Sequence, residues 1–152
     1  MKIVEIVPFK SEYAQYFYDY NIEWLEAYFY VEDHDKEVLE NPKSYILDKG
    51  GFIFFALFDK KVVGTVALMN EQEGFELSKM AVSIKHRGFK IGQQLMQHCI
   101  DFAKSKGWSE LLLYSNTTLE NAIYIYRKFG FKEVPLEDSP YSRGDIKMVR
   151  KL

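Results

Sequence analysis

Between Gly51 and Val82 the chain changes from helical to strand-like hydrophobic order, and that change constrains its fold more than any other feature. Phe52-Ile53-Phe54-Phe55-Ala56-Leu57-Phe58 is followed by a polar turn at Asp59-Lys60 and then by the run Val62 to Met69. Two β-rich runs joined by a short polar turn predict a hairpin. A second polar turn, Asn70 to Gly74, leads to a third run, Phe75 to Val82, so the three runs predict an antiparallel meander. The period then lengthens again: Lys90 to Lys106 places Ile91, Leu95, Cys99, Phe102 and Ala103 on one helical face, with Gly107 where a helix C-terminus belongs.

The flanks complete an α/β (α+β) pattern. Lys2 to Val7 alternates and is stopped by Pro8, which predicts a first strand. Residues 11–30 carry Phe17, Tyr20, Trp24 and Tyr28 at steps of three and four, an amphipathic helix in one piece or two. Glu32 to Asn41 reads as a short helix or a loop limited by Pro42. Leu111 to Tyr114 predicts a buried strand, and Thr118 to Phe129 a helix with Leu119, Ala122, Ile123 and Tyr126 inward, closed by Gly130. Asp145 to Leu152 predicts a last strand. With 152 residues and no repeat, low-complexity tract or linker, one domain around one mixed sheet is expected.

Charge is distributed unevenly behind a formal total of −2. Residues 1–76 hold 7 Lys, no Arg and 15 acids; residues 77–152 hold 13 Lys or Arg and 7 acids. A nucleic-acid partner is not expected, because a phosphate-tracking surface makes a whole domain basic, whereas an anionic ligand on the second half fits. No membrane partner is expected either: the longest apolar stretch, Phe52 to Phe58, is far short of the roughly 20 residues that span a bilayer. The start lacks a signal peptide's apolar run, and the single cysteine, Cys99, favours a reducing compartment, so a cytoplasmic location is expected. No metal is expected, since His34, His86 and His98 are isolated from other ligand types at workable spacing.

The chemistry concentrates at Met80 to Leu95. A strand ends there, and a loop with Arg87 and Gly88 enters a helix near Gly92. Free backbone N–H groups and the positive end of the macrodipole make a helix start an anion site. Gly88 and Gly92 allow a phosphate to approach the backbone, while Lys85, Arg87 and Lys90 add positive charge. The dinucleotide fingerprint would need a third glycine and the nucleotide-triphosphate loop a Gly-Lys-Ser/Thr, and neither is present.

Arg87-Gly88-Phe89-Lys90-Ile91-Gly92 resembles the loop of the GNAT superfamily of N-acetyltransferases, Arg or Gln, two residues, Gly, one residue, then Gly or Ala, with Lys90 in place of the middle Gly. Phe75 to Val82 is similar to that family's fourth strand, and Asn121 to Phe131 to its Asn, Ala, Tyr, Gly-Phe segment. The resemblance implies a mostly antiparallel mixed sheet of six to seven strands flanked by about four helices, with the fourth and fifth strands splayed. It divides the single domain into residues 1–50, the first strand and acceptor-side helices; 51–135, an acetyl-CoA-binding core; and 136–152, a C-terminal strand.

Site roles follow from the same resemblance. The pantetheine arm of acetyl-CoA, the implied cosubstrate, would pair with backbone near Met80, Ala81 and Val82, where an N–H would also steady an oxyanion. Arg87, Gly88, Phe89, Lys90, Ile91, Gly92 and Gln93 would hold the pyrophosphate, with Asn116 and Asn121 as polar contacts. Glu76 is the candidate base, directly or through water, because an alkyl amine with a pKa of about 10.4 must lose a proton before it attacks. Tyr126 is the candidate acid for the departing thiolate, with Tyr124 in reserve.

Acceptor specificity is expected in the N-terminal helices. Glu23, Glu26, Glu32, Asp33, Asp35, Glu37 and Glu40 lie near Trp24, Tyr28, Phe29 and Tyr30, and acid with aromatic lining suits a cationic amine, small or on a protein. Trp24, Tyr28 and Glu32 are the named candidates. Two alternatives accompany this reading: a non-catalytic acyl-CoA sensor, and an interaction module whose aromatic helices form a partner or homodimer surface.

Overall fold

The structure, a computed structural model, describes residues 4–137, 139–141 and 143–152. Seven strands form one sheet in the order β1-β2-β3-β4-β5-β7-β6. The strands are β1 (Val4–Pro8), β2 (Phe52–Phe58), β3 (Lys61–Glu71), β4 (Gly74–Val82), β5 (Glu110–Ser115), β6 (Lys132–Val134) and β7 (Ile146–Lys151). All neighbours are antiparallel except β4 and β5. Residues 2 and 3 of the expected first strand lie outside the described residues. The four helices are α1 (Ala14–Tyr28), α2 (Asp33–Glu40), α3 (Ile91–Ser105) and α4 (Glu120–Lys128).

The unbroken apolar run of β2 is explained by burial on both faces of the sheet. Phe54 and Ala56 face α3 with Val66, Leu68, Leu95 and Cys99, while Ile53 and Phe55 face α1 and α2 with Phe17, Leu25, Val38 and Leu39. The α3 stripe of Ile91, Leu95, Met96, Cys99, Ile100 and Ala103 is fully buried. Cys99 is therefore a core residue, its thiol pushed up by desolvation. The helix ends at Gly107, whose φ of +75° lets Trp108 N–H reach back to Ala103 O at 3.1 Å. The Asp59-Lys60 turn places both residues in the left-handed region, φ +53° and +66°, as a two-residue hairpin requires.

The N-terminal third is more helical than expected. Residues 11–30 form a 3₁₀ turn, Ser11–Tyr13, running into α1. The acidic stretch is a true helix, because Glu32 caps α2 and its own N–H is accepted by Asp35 Oδ2 at 3.1 Å. A single π-helical turn, Lys43–Leu47, follows Pro42 and had no periodic signal.

Two irregularities shape the site. β4 and β5 pair only at Phe75↔Leu111 and Glu76↔Leu112; beyond Glu76 the strands diverge, giving the splay. Against β3, Thr65 pairs with Ala81 but Ala67 with Ser78, so β4 carries one extra residue. Lys79 stands in this bulge with φ +55°, a left-handed conformation that a non-glycine residue adopts at a cost of about 1–2 kcal/mol.

Candidate active site

Glu76 is the last residue of β4 paired with β5 and occupies the apex of the wedge between the two strands. It is only 3% exposed. Burial raises its carboxyl above the ordinary range, opposed by the Tyr141 hydroxyl, which donates to Oε2 at 2.8 Å, and by the positive charge of Lys79. An inner cavity of about 120 Å³ opens around it, walled by Trp24, Leu25, Phe29, Leu77 and Leu119 and carrying Asp35, Glu76, Lys79, Tyr141 and Arg143.

A second, larger groove of about 700 Å³ runs from this cavity along the open edge of β4 to the start of α3. Trp24, Met80, Leu119 and Tyr126 line both spaces, so the two are joined at the mouth of the wedge. Ala81, Val82, Arg87, Gly88, Lys90, Ile91, Gly92, Gln93 and Asn121 all line the groove. The Ser83 N–H is accepted by Val63 O at 2.7 Å, so strand alternation turns the Val82 N–H away from β3 and toward the gap. The first N–H accepted within α3 is that of Gln94, by Lys90 O, which leaves the earlier amides without helical acceptors. Lys90 has φ +60°, which accounts for the glycine expected in its place.

Tyr126 sits where cavity and groove meet. Burial pushes its phenol up, with a Ser115 hydrogen bond acting the other way, so the hydroxyl is held protonated. Tyr124 is 68% exposed and lines neither space. Phe89 turns away from the groove, 54% exposed, onto Phe58 at 5.4 Å. Asn116 faces the inner cavity and is engaged locally: it donates to Arg143 O at 2.6 Å, and its side-chain oxygen accepts from Thr118 N–H. Tyr28 lines the groove rather than the cavity, with the Arg87 guanidinium 5.7 Å over its ring.

The inner lining departs from the expected acidic surface. Of the seven N-terminal acids only Asp35 lines the cavity, and Arg143 meets it with both terminal nitrogens, at 3.0 and 2.8 Å. Burial alone would raise the Asp35 carboxyl, but the Arg143 guanidinium and the Glu32 amide outweigh it and hold the group below its ordinary range. Glu32 is spent on capping α2 and on Arg143, 3.4 Å away. Asp33, Glu37 and Glu40 are exposed because α2 buries only its Asp35, Val38, Leu39 face, while Glu23 and Glu26 lie on α1 outside the cavity, Glu23 accepting the Ile84 N–H at 3.2 Å. Lys79, Tyr141 and Arg143 escaped the sequence reading. The first depends on a bulge that pairing creates, and the others lie in a Ser-Pro-Tyr-Ser-Arg-Gly loop without periodicity.

Residues 14–131 match the family model described as the acetyltransferase (GNAT) family. A probable N-acetyltransferase camello of Xenopus tropicalis is 31% identical over 108 residues, 69% of this chain and 49% of that protein; the chain spans about half the length of the curated relatives it matches. An acetyltransferase of GNAT family from Staphylococcus aureus Mu50 superposes with a TM-score of 0.84 at 22% identity, covering 98% of this chain and 99% of its own. A Thermoplasma acidophilum PaiA N-acetyltransferase, solved with coenzyme A, gives 0.75 at 21% identity, covering 99% of each chain. The splayed strands, the groove that ends on α3 and a family match across well over half the residues agree, and the chain belongs to the acetyltransferase (GNAT) family.

Proposed function

We propose that the chain is an acetyl-CoA-dependent N-acetyltransferase that moves an acetyl group to a primary amine by direct attack with both substrates bound. The observation that carries this is the junction of two spaces at the wedge: a buried carboxylate in one, an anion-receiving helix start at the far end of the other. The solved relative with coenzyme A supports the choice of cosubstrate.

The residues fit that molecule. The groove is long, its β4 edge offers unpaired backbone, and the unbonded amides of α3 with Arg87 and Lys90 suit a pyrophosphate. Bound acetyl-CoA supplies the activated thioester. Glu76 accepts the amine proton; the Val82 N–H donates to the negative charge that develops on the carbonyl oxygen; Tyr126 donates its hydroxyl proton to the leaving sulfur. Trp24 and Leu119, at the junction, exclude water from the reacting atoms.

Coenzyme A at 100 times its Kd is expected to stabilise the protein by about 2.7 kcal/mol, a rise in Tm of roughly 5–10 °C for a domain of this size. No shift at millimolar coenzyme A overturns the reading. Shift without thiol release across an amine panel would mark a sensor instead. Tyr126→Phe is expected to lower kcat about 10- to 100-fold, the low end for a general acid because a thiolate already leaves well. A variant with unchanged kcat would remove Tyr126 from the mechanism.

A further inference from the structure

Among the described residues, Lys79 is the cation of the inner cavity without an anion in contact. In a regular strand, residues three apart point to opposite faces, yet the Lys79 Nζ lies 5.1 Å from the ring of Tyr141, whose hydroxyl donates to Glu76, because the extra residue in β4 resets the alternation. The conformation that achieves this is strained, with Lys79 at φ +55°. Such strain persists where the surrounding structure over-determines it, and it clusters at functional sites.

The other charges in the cavity have close partners. Arg143 is taken by Asp35 and Glu32, and Glu76 accepts the Tyr141 hydroxyl. Among the described residues, the Lys79 ammonium has no hydrogen bond and no ion pair; its contact is with the Tyr141 ring, 5.1 Å from Nζ. Burial, with the nearby Arg143 cation, outweighs the longer-range pull of Asp35 and Glu76 and holds its ammonium below the ordinary lysine range. A desolvated ammonium without an anion in contact is costly, and a ligand anion relieves that cost.

We infer that Lys79 receives a carboxylate of the acceptor, so that the acceptor is a small zwitterion of the amino-acid kind, its amine toward Glu76 and its carboxylate on Lys79. The inference rests on the acetyltransferase reading and deepens it. One carboxylate and one ammonium in one cavity mirror the two charges of an amino acid. The walls of Trp24, Leu25, Phe29, Leu77 and Leu119 and the volume of about 120 Å³ fit a compact apolar side chain. A simple polyamine leaves Lys79 unpaired and adds repulsion, so it is the wrong class.

The test uses matched acceptors: leucine and phenylalanine, their amides, and the corresponding amines without a carboxyl group, with acetyl-CoA and thiol release as the readout. Wild type is expected to favour the acids at least ~10-fold in kcat/KM, mainly through KM. Lys79→Met should erase that preference by lowering the acids at least ~10-fold more than the amides, whatever common change follows from the loss of a positive charge near Glu76, and Lys79→Arg should restore part of the preference. The amides also report that the variants are folded. A parallel measurement needs no turnover: N-acetyl-leucine should raise the Tm of the CoA-saturated wild type more than N-acetyl-leucinamide, and Lys79→Met should abolish the difference. Preference for the amides or amines, equal losses on all acceptors, or equal shifts by the two products overturns the inference. Turnover of amides or amines alone leaves acetyl transfer standing; absence of turnover with a Lys79-dependent product shift upholds the anion site and counts against the transfer reading.

Discussion

Glu76→Gln is expected to lower acetyl transfer at neutral pH about 10²- to 10⁴-fold, the usual contribution of a positioned general base, with little change in the Tm rise given by coenzyme A. The glutamine keeps size and polarity but cannot take the amine proton. In the wild type, burial raises the Glu76 carboxyl, so kcat/KM should fall with decreasing pH through an inflection above the ~4.3 of an ordinary glutamate. The sign is fixed by the role: the base works ionised, and a raised pKa moves the loss of activity to higher pH. Glu76→Gln should lack this limb and recover in part at high pH, where more amine is already neutral. Tyr141→Phe supplies the complementary shift. Its hydroxyl donates to Glu76 and thereby favours the carboxylate, so its removal should move the acid limb further up. A Glu76→Gln profile that overlays the wild type removes Glu76 from catalysis.

What could be read from residues alone follows how local each determinant is. The meander was legible because Phe52 to Phe58 and Val62 to Met69 are apolar on both faces and separated by a two-residue polar turn, signals carried within a few residues. The α3 loop was legible for the same reason: Arg87, Gly88 and Gly92 lie in one short stretch, and even Lys90 occupies the left-handed position where glycine is usual. Glu76 was reached through a motif, but its burial was not, since it depends on residues brought from far along the chain, Trp24 and Leu25 of α1, Asp35 of α2, and Tyr141 and Arg143. Lys79 shows the limit most clearly. Nothing in Glu-Leu-Ser-Lys reveals that β4 has one residue more than β3 can pair, and without the bulge Lys79 would face away from Glu76. Asp35 misled in the opposite direction, for seven neighbouring acids read as a single lining while Asp35 alone among them lines the cavity, held there by a cation from residue 143.

That cation sets the second large effect, on stability. Asp35 and Arg143 have side chains only 5% and 15% exposed and meet at 2.8 Å, joining α2 to a loop 108 residues later in the chain. Arg143→Ala leaves Asp35 buried without its counter-ion and should cost about 3–5 kcal/mol, lowering Tm by roughly 6–20 °C; Asp35→Ala should cost less, because Arg143 keeps Glu32 at 3.4 Å. Asp35→Leu with Arg143→Met should recover most of the loss, because an apolar pair of similar volume avoids the desolvation that the ions suffer. Acid stability separates the two states. The Asp35 carboxyl titrates below its ordinary value in the fold, so its contribution is complete above the unfolded value of about 3.9 and disappears as pH falls through the lower folded value; the double variant should lose this part of the acid dependence. Arg143 also carries the loop that brings Tyr141 to Glu76, which links stability to chemistry: the double variant should keep the fold yet show an acid limb shifted upward, as Tyr141→Phe does. Single variants as stable as the wild type would mean that the pair is solvated in solution, and then neither the loop nor Tyr141 is held where the cavity needs them.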